Sequence, residues 1–393
     1  MPAFRRFLVG ACVASQLAAA PLVTPEFTAT GELWQNTRGG ARTGGWWNTL
    51  VDLGLTCDTA ALGGPANSSV YVQAQWVQNR SASECFAGTT GAFNPVSGLM
   101  AGNHVRVFNL YYRQSWRAAA VTLKLGQLAL DDDFMTSDSA ALFANAAFGA
   151  LPSQVSTSLS ARCGHTAAFP LYAVASPGLH FQLAPPGRWS WQLAIYDGGP
   201  GADTPANHGF SWNAAAHSGV LVFTEAGHDY AVASHTASVH LGVSYHSGQF
   251  DDLTARACPR SEPSVRGLYG VYVVNEMVIV AGQDAPRLTA FVRAGLSPQQ
   301  DRTVVTTSFD AGLDWHGPFA RRLADVAGVA VSVSEFGRDY RRTAGSDRTE
   351  TTVEFTYKAQ LTAHWTLQPD AQFLVSASRP TAIVAGLRAA FSL

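Results

Sequence analysis

The chain has 393 residues, of which 14% are charged, against about 25% in an average soluble protein. Its formal net charge is −2 and its lysines are Lys124 and Lys358 alone, so it lacks the basic patch or stripe that marks a nucleic-acid partner. Beyond the first twenty residues no apolar run reaches the ~18 residues of a membrane-spanning helix, which leaves a soluble β-fold or a membrane β-barrel.

The start, "MPAFRRFLVGACVASQLAAAPLV", sets Arg5 and Arg6 before an apolar run and three alanines. That is the pattern of a secretory leader cleaved near Ala20, so residues 1–20 are expected to be removed, leaving the mature chain two charges more negative. A rival reading, lipid attachment at Cys12, leaves too short an apolar stretch before the cysteine. Four cysteines remain, Cys57, Cys85, Cys163 and Cys258. In an exported protein an even set invites disulfides, and the three connectivities stay open. Neither C-x-x-C nor H-E-x-x-H occurs, so no metal is read and no cofactor is expected.

From residue 27 onward apolar and polar residues alternate, the rhythm of a strand with two different faces. Candidate strands fall at 27–36, 46–56, 70–79, 104–115, 119–128, 176–184, 189–196, 217–226, 236–247, 266–279, 287–297, 305–315, 326–336, 350–366, 371–378 and 382–393. The stretch 350–366 alternates without a break, and its second face, from Glu350 through Lys358 to Thr366, holds no apolar residue. Connections sort into short ones (116–118, 185–188, 280–286, 367–370) and long ones (80–103, 129–175, 197–216, 248–265). Short turns at one rim and long loops at the other predict an all-β fold, a transmembrane antiparallel β-barrel of about 16 strands in a bacterial outer membrane. Alternation running to Leu393 agrees, because the last strand of a closed barrel must pair with the first. Tryptophans 34, 46, 47, 76, 116, 189, 315 and 365 mostly lie near strand ends, where interfacial girdles form. Lipid, lipopolysaccharide and the outer-membrane assembly machinery are the partners of such a barrel, and a homo-oligomer is compatible with it.

Three stretches carry a family likeness: "HWTLQPDAQFLVSASRP" with "GLRAAF", "TLKLGQLALDDDFMTSDSAALFANAAFG", and "FVRAGLSP" with "GVAVSVSEF". In order, from about 46 to 393, the chain resembles the carbohydrate-selective porins of the OprB family. The resemblance implies a 16-stranded barrel that passes glucose and similar sugars by passive diffusion, with no catalysis. The chain departs from the usual pattern in ending on Leu393, with Phe391 two places earlier, and in its cysteines.

Strand parity points to the lining independently of the family. It turns Asn109, Tyr111, Arg113, Lys124, Arg293, Glu354, Lys358 and Arg388 inward, placing several cations near the waist. The 129–175 loop opens with Asp131, Asp132, Asp133 and Phe134, followed by a segment that reads as a short helix capped near Ser137 or Asp138. Folded into the lumen, it would set the three aspartates against the cationic wall, with Tyr111, Phe134 and Phe291 as stacking faces for sugar rings. A general porin, an outer-membrane hydrolase and a soluble sugar-binding sandwich are the alternatives. No G-x-S-x-G nucleophile motif supports the hydrolase.

Overall fold

The computed structural model describes residues 22–80, 88–156, 167–212, 218–233, 235–254, 264–281 and 287–393. The strands are β1 (Val23–Arg38), β2 (Gly44–Asp58), β3 (Ser68–Asn79), β4 (His104–Trp116), β5 (Val121–Leu128), β6 (Ser176–Leu183), β7 (Trp189–Asp197) and β8 (Val220–Val232). They continue with β9 (His235–Asp251), β10 (Ser264–Val280), β11 (Arg287–Leu296), β12 (Val305–His316), β13 (Val326–Phe336), β14 (Thr349–Gln360), β15 (Trp365–Ser376) and β16 (Arg379–Ser392). Each pairs antiparallel with its sequence neighbours, and β1 pairs with β16, so the sheet closes into a 16-stranded barrel with no free edge. Closure gives every strand a hydrogen-bonding neighbour on both sides, the condition for crossing a bilayer as sheet.

Alternation explains the two faces. Outward positions such as Leu125, Leu241 and Phe355 are exposed apolar side chains, while the intervening Lys124, His240 and Glu354 face the interior. At the seam, Trp34 lies opposite Gly386. A Cβ at 386 would stand 2.1 Å from the Trp34 ring, so glycine is what lets the inward tryptophan lie across β16.

Two expectations need correction. The stretch 350–366 is not one strand: the chain reverses at 361–364, and the tripeptide Gln368-Pro369-Asp370, expected as a turn, lies inside β15. Thr362 builds the reversal, its Oγ1 accepting from His364 N (3.2 Å) and Trp365 N (3.1 Å). Four turn residues are an even number, so alternation runs through unshifted and hides the break. Pro369, which has no N–H for a ladder, sits where the β14–β15 pairing lapses between Thr356↔Asp370 and Ala359↔Leu367. Trp34 and Trp46 are the other correction. They point inward and are buried against Val96 and Met100, whereas Trp47, Trp76, Trp116, Trp189, Trp315 and Trp365 are exposed.

The connections at the rim opposite the termini are L1 (39–43), L2 (80–103), L3 (129–175), L4 (198–219), L5 (252–263), L6 (297–304), L7 (337–348) and L8 (377–378). L7 holds the short helix α2 (Arg338–Ala344), and L3 holds α1 (Pro152–Val155). The single helix expected after Asp133 is instead two 3₁₀ turns, Ala140–Leu142 and Ala146–Phe148. Ser137 does cap, its Oγ accepting from Ala140 N at 3.0 Å. Cys57 lies near the short-turn end of β2 and is a free thiol. Cys85, Cys163, Cys258 and the leader lie outside the described residues.

Candidate functional site

The interior is shaped by where L3 is held, and the holding groups are inward side chains of β10 to β15. Glu354 accepts from Ala144 N (2.5 Å) and Asn145 N (2.9 Å), and Gln372 accepts from Asn145 Nδ2 at 2.9 Å. Glu276 accepts from Ser137 Oγ (2.6 Å) and Ser139 N (2.9 Å), while Asp314 accepts from Ser139 Oγ at 2.6 Å. Arg293 donates to Gly149 O (2.7 Å), Ala147 O (3.1 Å) and Asp310 Oδ2 (2.7 Å). Carboxylates thus take the loop's amide hydrogens and one guanidinium takes its carbonyls, bonds strengthened by the charge on one partner. Phe291 packs its ring on Phe143 and Phe148, and Phe134 packs on Phe223 and His180.

These contacts correct part of the expected lining. Phe134, Phe291, Arg293 and Glu354 are no more than 1% exposed. Phe291, Arg293 and Glu354 do face inward, but L3 lies on top of them and they form its bed; Phe134, a residue of L3 itself, is turned into the wall against Phe223 and His180. L2 fills a further sector. Phe93 N (2.7 Å) and Asn94 N (2.9 Å) donate to Glu350, and Gln372 Nε2 donates to Val96 O at 2.8 Å.

What stays open is bordered by the foot of L3 and the wall from β14 through β1 to β5. Lys124 Nζ donates to both oxygens of Asp133, at 2.7 and 2.9 Å, and stands 5.4 Å from the centre of the Tyr111 ring. Tyr111 and Tyr71 bring their rings to 5.2 Å. Asn109 links L3 to the wall, donating to Asp132 Oδ2 (2.8 Å) and Gln73 Oε1 (2.8 Å), and Gln73 passes the chain on to Asp52 Oδ1 (2.9 Å). Arg388 pairs with Glu32 at 2.6 Å. Arg113 and Lys358 are exposed. Asp131 sits deepest, accepting from Tyr172 N at 3.3 Å. Burial pushes its carboxyl above the ordinary range, with the neighbouring Asp132 charge acting the same way. Asp132 is raised too, by burial first and then by Asp133.

The waist is therefore not a bare cationic wall. Lys124, Arg293 and Arg388 each meet a carboxylate, which parity alone could not reveal, because their partners come from a loop or a neighbouring strand. Sequence reasoning also missed Asp52, Gln73, Tyr71, Glu32 and Arg106. Parity would have turned the first four inward. Arg106 escaped because a bulge interrupts the β3–β4 register between Gln73 and Ala74. This buried guanidinium ties Asp203 Oδ1 (3.1 Å) and Asn207 O (2.8 Å) of L4 to Ala173 O of L3. L4 continues outside, where Val107 N donates to His208 O at 3.0 Å, along β4 above the point at which its pairing with β5 begins.

Chemically, the opening offers aromatic faces beside amides and carboxylates that can exchange hydrogen bonds with a hydroxyl-rich solute. Among the described residues no group of three or more His, Cys, Asp or Glu side chains could hold a metal ion.

Comparison with known proteins adds an independent line. The family model described as carbohydrate-selective porin, OprB family, matches residues 38–393. The chain is similar to Pseudomonas putida OprB in its high-pH structure, at 19% identity over 94% of each chain with a TM-score of 0.81. The low-pH structure of the same protein matches at 15% identity over 94% of this chain and 92% of that one, with a TM-score of 0.58. The outer-membrane channel DcaP of Acinetobacter baumannii matches at 10% identity over 94% and 97%, with a TM-score of 0.52. At these identities the structures speak for the fold. No curated protein matches the chain.

Proposed function

The chain belongs to the OprB family of carbohydrate-selective porins, and from that premise we propose that its constriction passes glucose-sized monosaccharides along Tyr111, Asn109, Lys124 and the aspartates at the foot of L3. As a sugar porin of the bacterial outer membrane it works as a channel, and solutes move down their own gradient. The observation that supports the finer reading is the meeting of L3 and wall. Asn109 joins Asp132 to β4, and Lys124 joins Asp133 to β5, beside a pair of tyrosine rings. A pyranose presents C–H faces to an aromatic ring and hydroxyls to amides and carboxylates. A narrowing built from both suits it better than one built from charge alone. Residues 1–20 are read as the export leader, and insertion follows through the outer-membrane assembly machinery, with lipopolysaccharide around the long-loop rim.

The test is swelling of liposomes that hold the purified protein, with glucose, a disaccharide and a neutral amino acid of glucose-like size. Glucose should enter fastest. Equal rates for glucose and the amino acid would remove the sugar contacts from the explanation and leave size alone. Tyr111→Ala should slow glucose relative to the amino acid.

A further inference from the structure

The barrel wall is low at β5 and β6. Each has eight residues, where β9 and β10 have seventeen, and a strand that crosses the hydrocarbon layer needs about 9–11. β4 runs on beyond the top of β5, since the β4–β5 ladder ends at Leu110↔Gln127. Above that rung the edge of β4 would meet lipid with unpaired backbone groups, which is costly where no water reaches them. L4 and one side-chain amide answer the need. Val107 N donates to His208 O at 3.0 Å, and Gln127 Nε2 donates to Val107 O (2.8 Å) and Phe108 O (2.7 Å). Gly209 permits the approach, because a Cβ there would stand 2.0 Å from Val107 O.

Beyond Gly209, L4 carries two aromatic side chains onto the outer face. Trp212 Nε1 donates to Gln127 Oε1 at 3.0 Å, and Gln127 shares the outward parity of Leu125. Phe210 meets Trp212 edge-on, with ring centres 5.8 Å apart, and both rings stay largely exposed. Between these rings and the strands lies a cleft of about 410 Å³, lined by the outward side chains Val70, Leu110, Tyr112 and Leu125. It has the size of a small-molecule site, set in the surface that faces lipid.

Three features select the occupant. The cleft is continuous with the apolar band that already contacts the bilayer, and left empty it would forfeit dispersion contacts along its lining. Its polar side chains are engaged within the chain: Gln127 through both its oxygen and its nitrogen, and Tyr112 through its hydroxyl, which donates to Gln114 Oε1 at 2.7 Å. A second polypeptide would find no free hydrogen-bonding side chain there. The site is also concave, whereas another barrel would bring a convex wall. A hydrocarbon chain needs neither a polar partner nor a flat face. Phe210 and Trp212 reach the cleft from the long-loop rim, which faces the outside, so its upper end belongs to the outer leaflet, whose lipid is lipopolysaccharide. We infer that the cleft holds one acyl chain of a lipopolysaccharide molecule, gripped between Leu125 and the Phe210 and Trp212 rings, and that this lipid stays with the barrel when the surrounding lipid exchanges.

The test is native mass spectrometry of the full chain, extracted from outer membranes and washed exhaustively in a mild detergent. The wild-type barrel should retain a single lipopolysaccharide. Val70→Trp with Leu125→Trp fills the cleft from the lipid side and should lower the retained fraction at least tenfold. Leu241→Trp, an outward change on β9 at a distance from the cleft, should leave retention at the wild-type level.

A wild-type barrel that emerges free of lipid would overturn the inference, and so would one that retains phospholipid in place of lipopolysaccharide. Equal retention by all three proteins would assign the lipid to the general annulus and overturn the site. Wild-type multimers without lipid, which the cleft-filling variant dissociates, would give the cleft to a second copy of the chain and overturn the acyl-chain assignment. The wild-type spectrum decides even if the double variant fails to assemble.

Discussion

Arg293 shows how far a single residue's role depends on its covering. Parity places it inward, where a lone guanidinium would line a pore, yet L3 caps it and Asp310 faces it in a pair that is almost wholly buried. Removing one partner of such a pair leaves an uncompensated buried charge, at a cost of about 3–5 kcal/mol. Arg293→Ala should therefore lower the thermal stability of the detergent-solubilised barrel. Because three of its bonds go to L3 carbonyls, single-channel conductance should also become larger and noisier. Unchanged conductance with lowered stability would mean that L3 is held by its carboxylate contacts alone. Arg106 makes the corresponding case for L4: Arg106→Ala should expose L4 to proteolysis, read by the rate of cleavage in intact cells.

At the scale of the element, L3 is a loop several of whose described backbone amides and carbonyls are met by side chains of the barrel wall, and its foot carries three consecutive aspartates. Asp131 and Asp132 have carboxyl groups raised above their ordinary range by burial and by one another. The folded protein therefore binds these protons more tightly than the unfolded chain does. The stability they contribute is full below the ordinary aspartate range and is lost as pH rises from there towards neutrality. Melting temperature should accordingly fall between mildly acid and mildly alkaline pH, and Asp131→Asn should flatten that dependence. The clasp between L7 and L8 has the opposite sign. Ser376 Oγ, Ser378 N and Ser378 Oγ all donate to Asp347, holding its carboxyl down at about 2. Its contribution is present above the ordinary aspartate value and is lost as pH falls towards 2. Asp347→Ala should speed amide exchange at Ser378, the backbone donor of that clasp.

For the whole molecule, closure is the decisive event, since a barrel without its β1–β16 seam leaves two open edges in lipid. The seam depends on Gly386, above which the Trp34 ring lies, its Nε1 held by Glu32 at 3.0 Å. Gly386→Val should block the ring from its place. The expected outcome is loss of the compact, heat-modifiable band that folded outer-membrane barrels give on unheated gels. A variant that keeps that band would show that β16 can shift to accept a side chain.

The amino-acid order by itself determined the number of strands, their faces and the rim that carries the long loops, because period two and turn composition are local properties that each segment expresses without its neighbours. The same order hid the reversal at 361–364, where an even turn preserved the alternation. It also read Trp34 and Trp46 by their place near strand ends, Arg293 and Glu354 by direction alone, and Phe134 and Phe291 as free stacking faces. Only the tertiary structure decided what stands in front of an inward side chain. L2 and L3 return from the rim to contacts that lie up to 257 residues away in sequence, and such pairings leave no periodic trace. The pairing of Lys124 with Asp133 belongs to that second kind of knowledge, because the carboxylate reaches the wall from L3 and not along the strand.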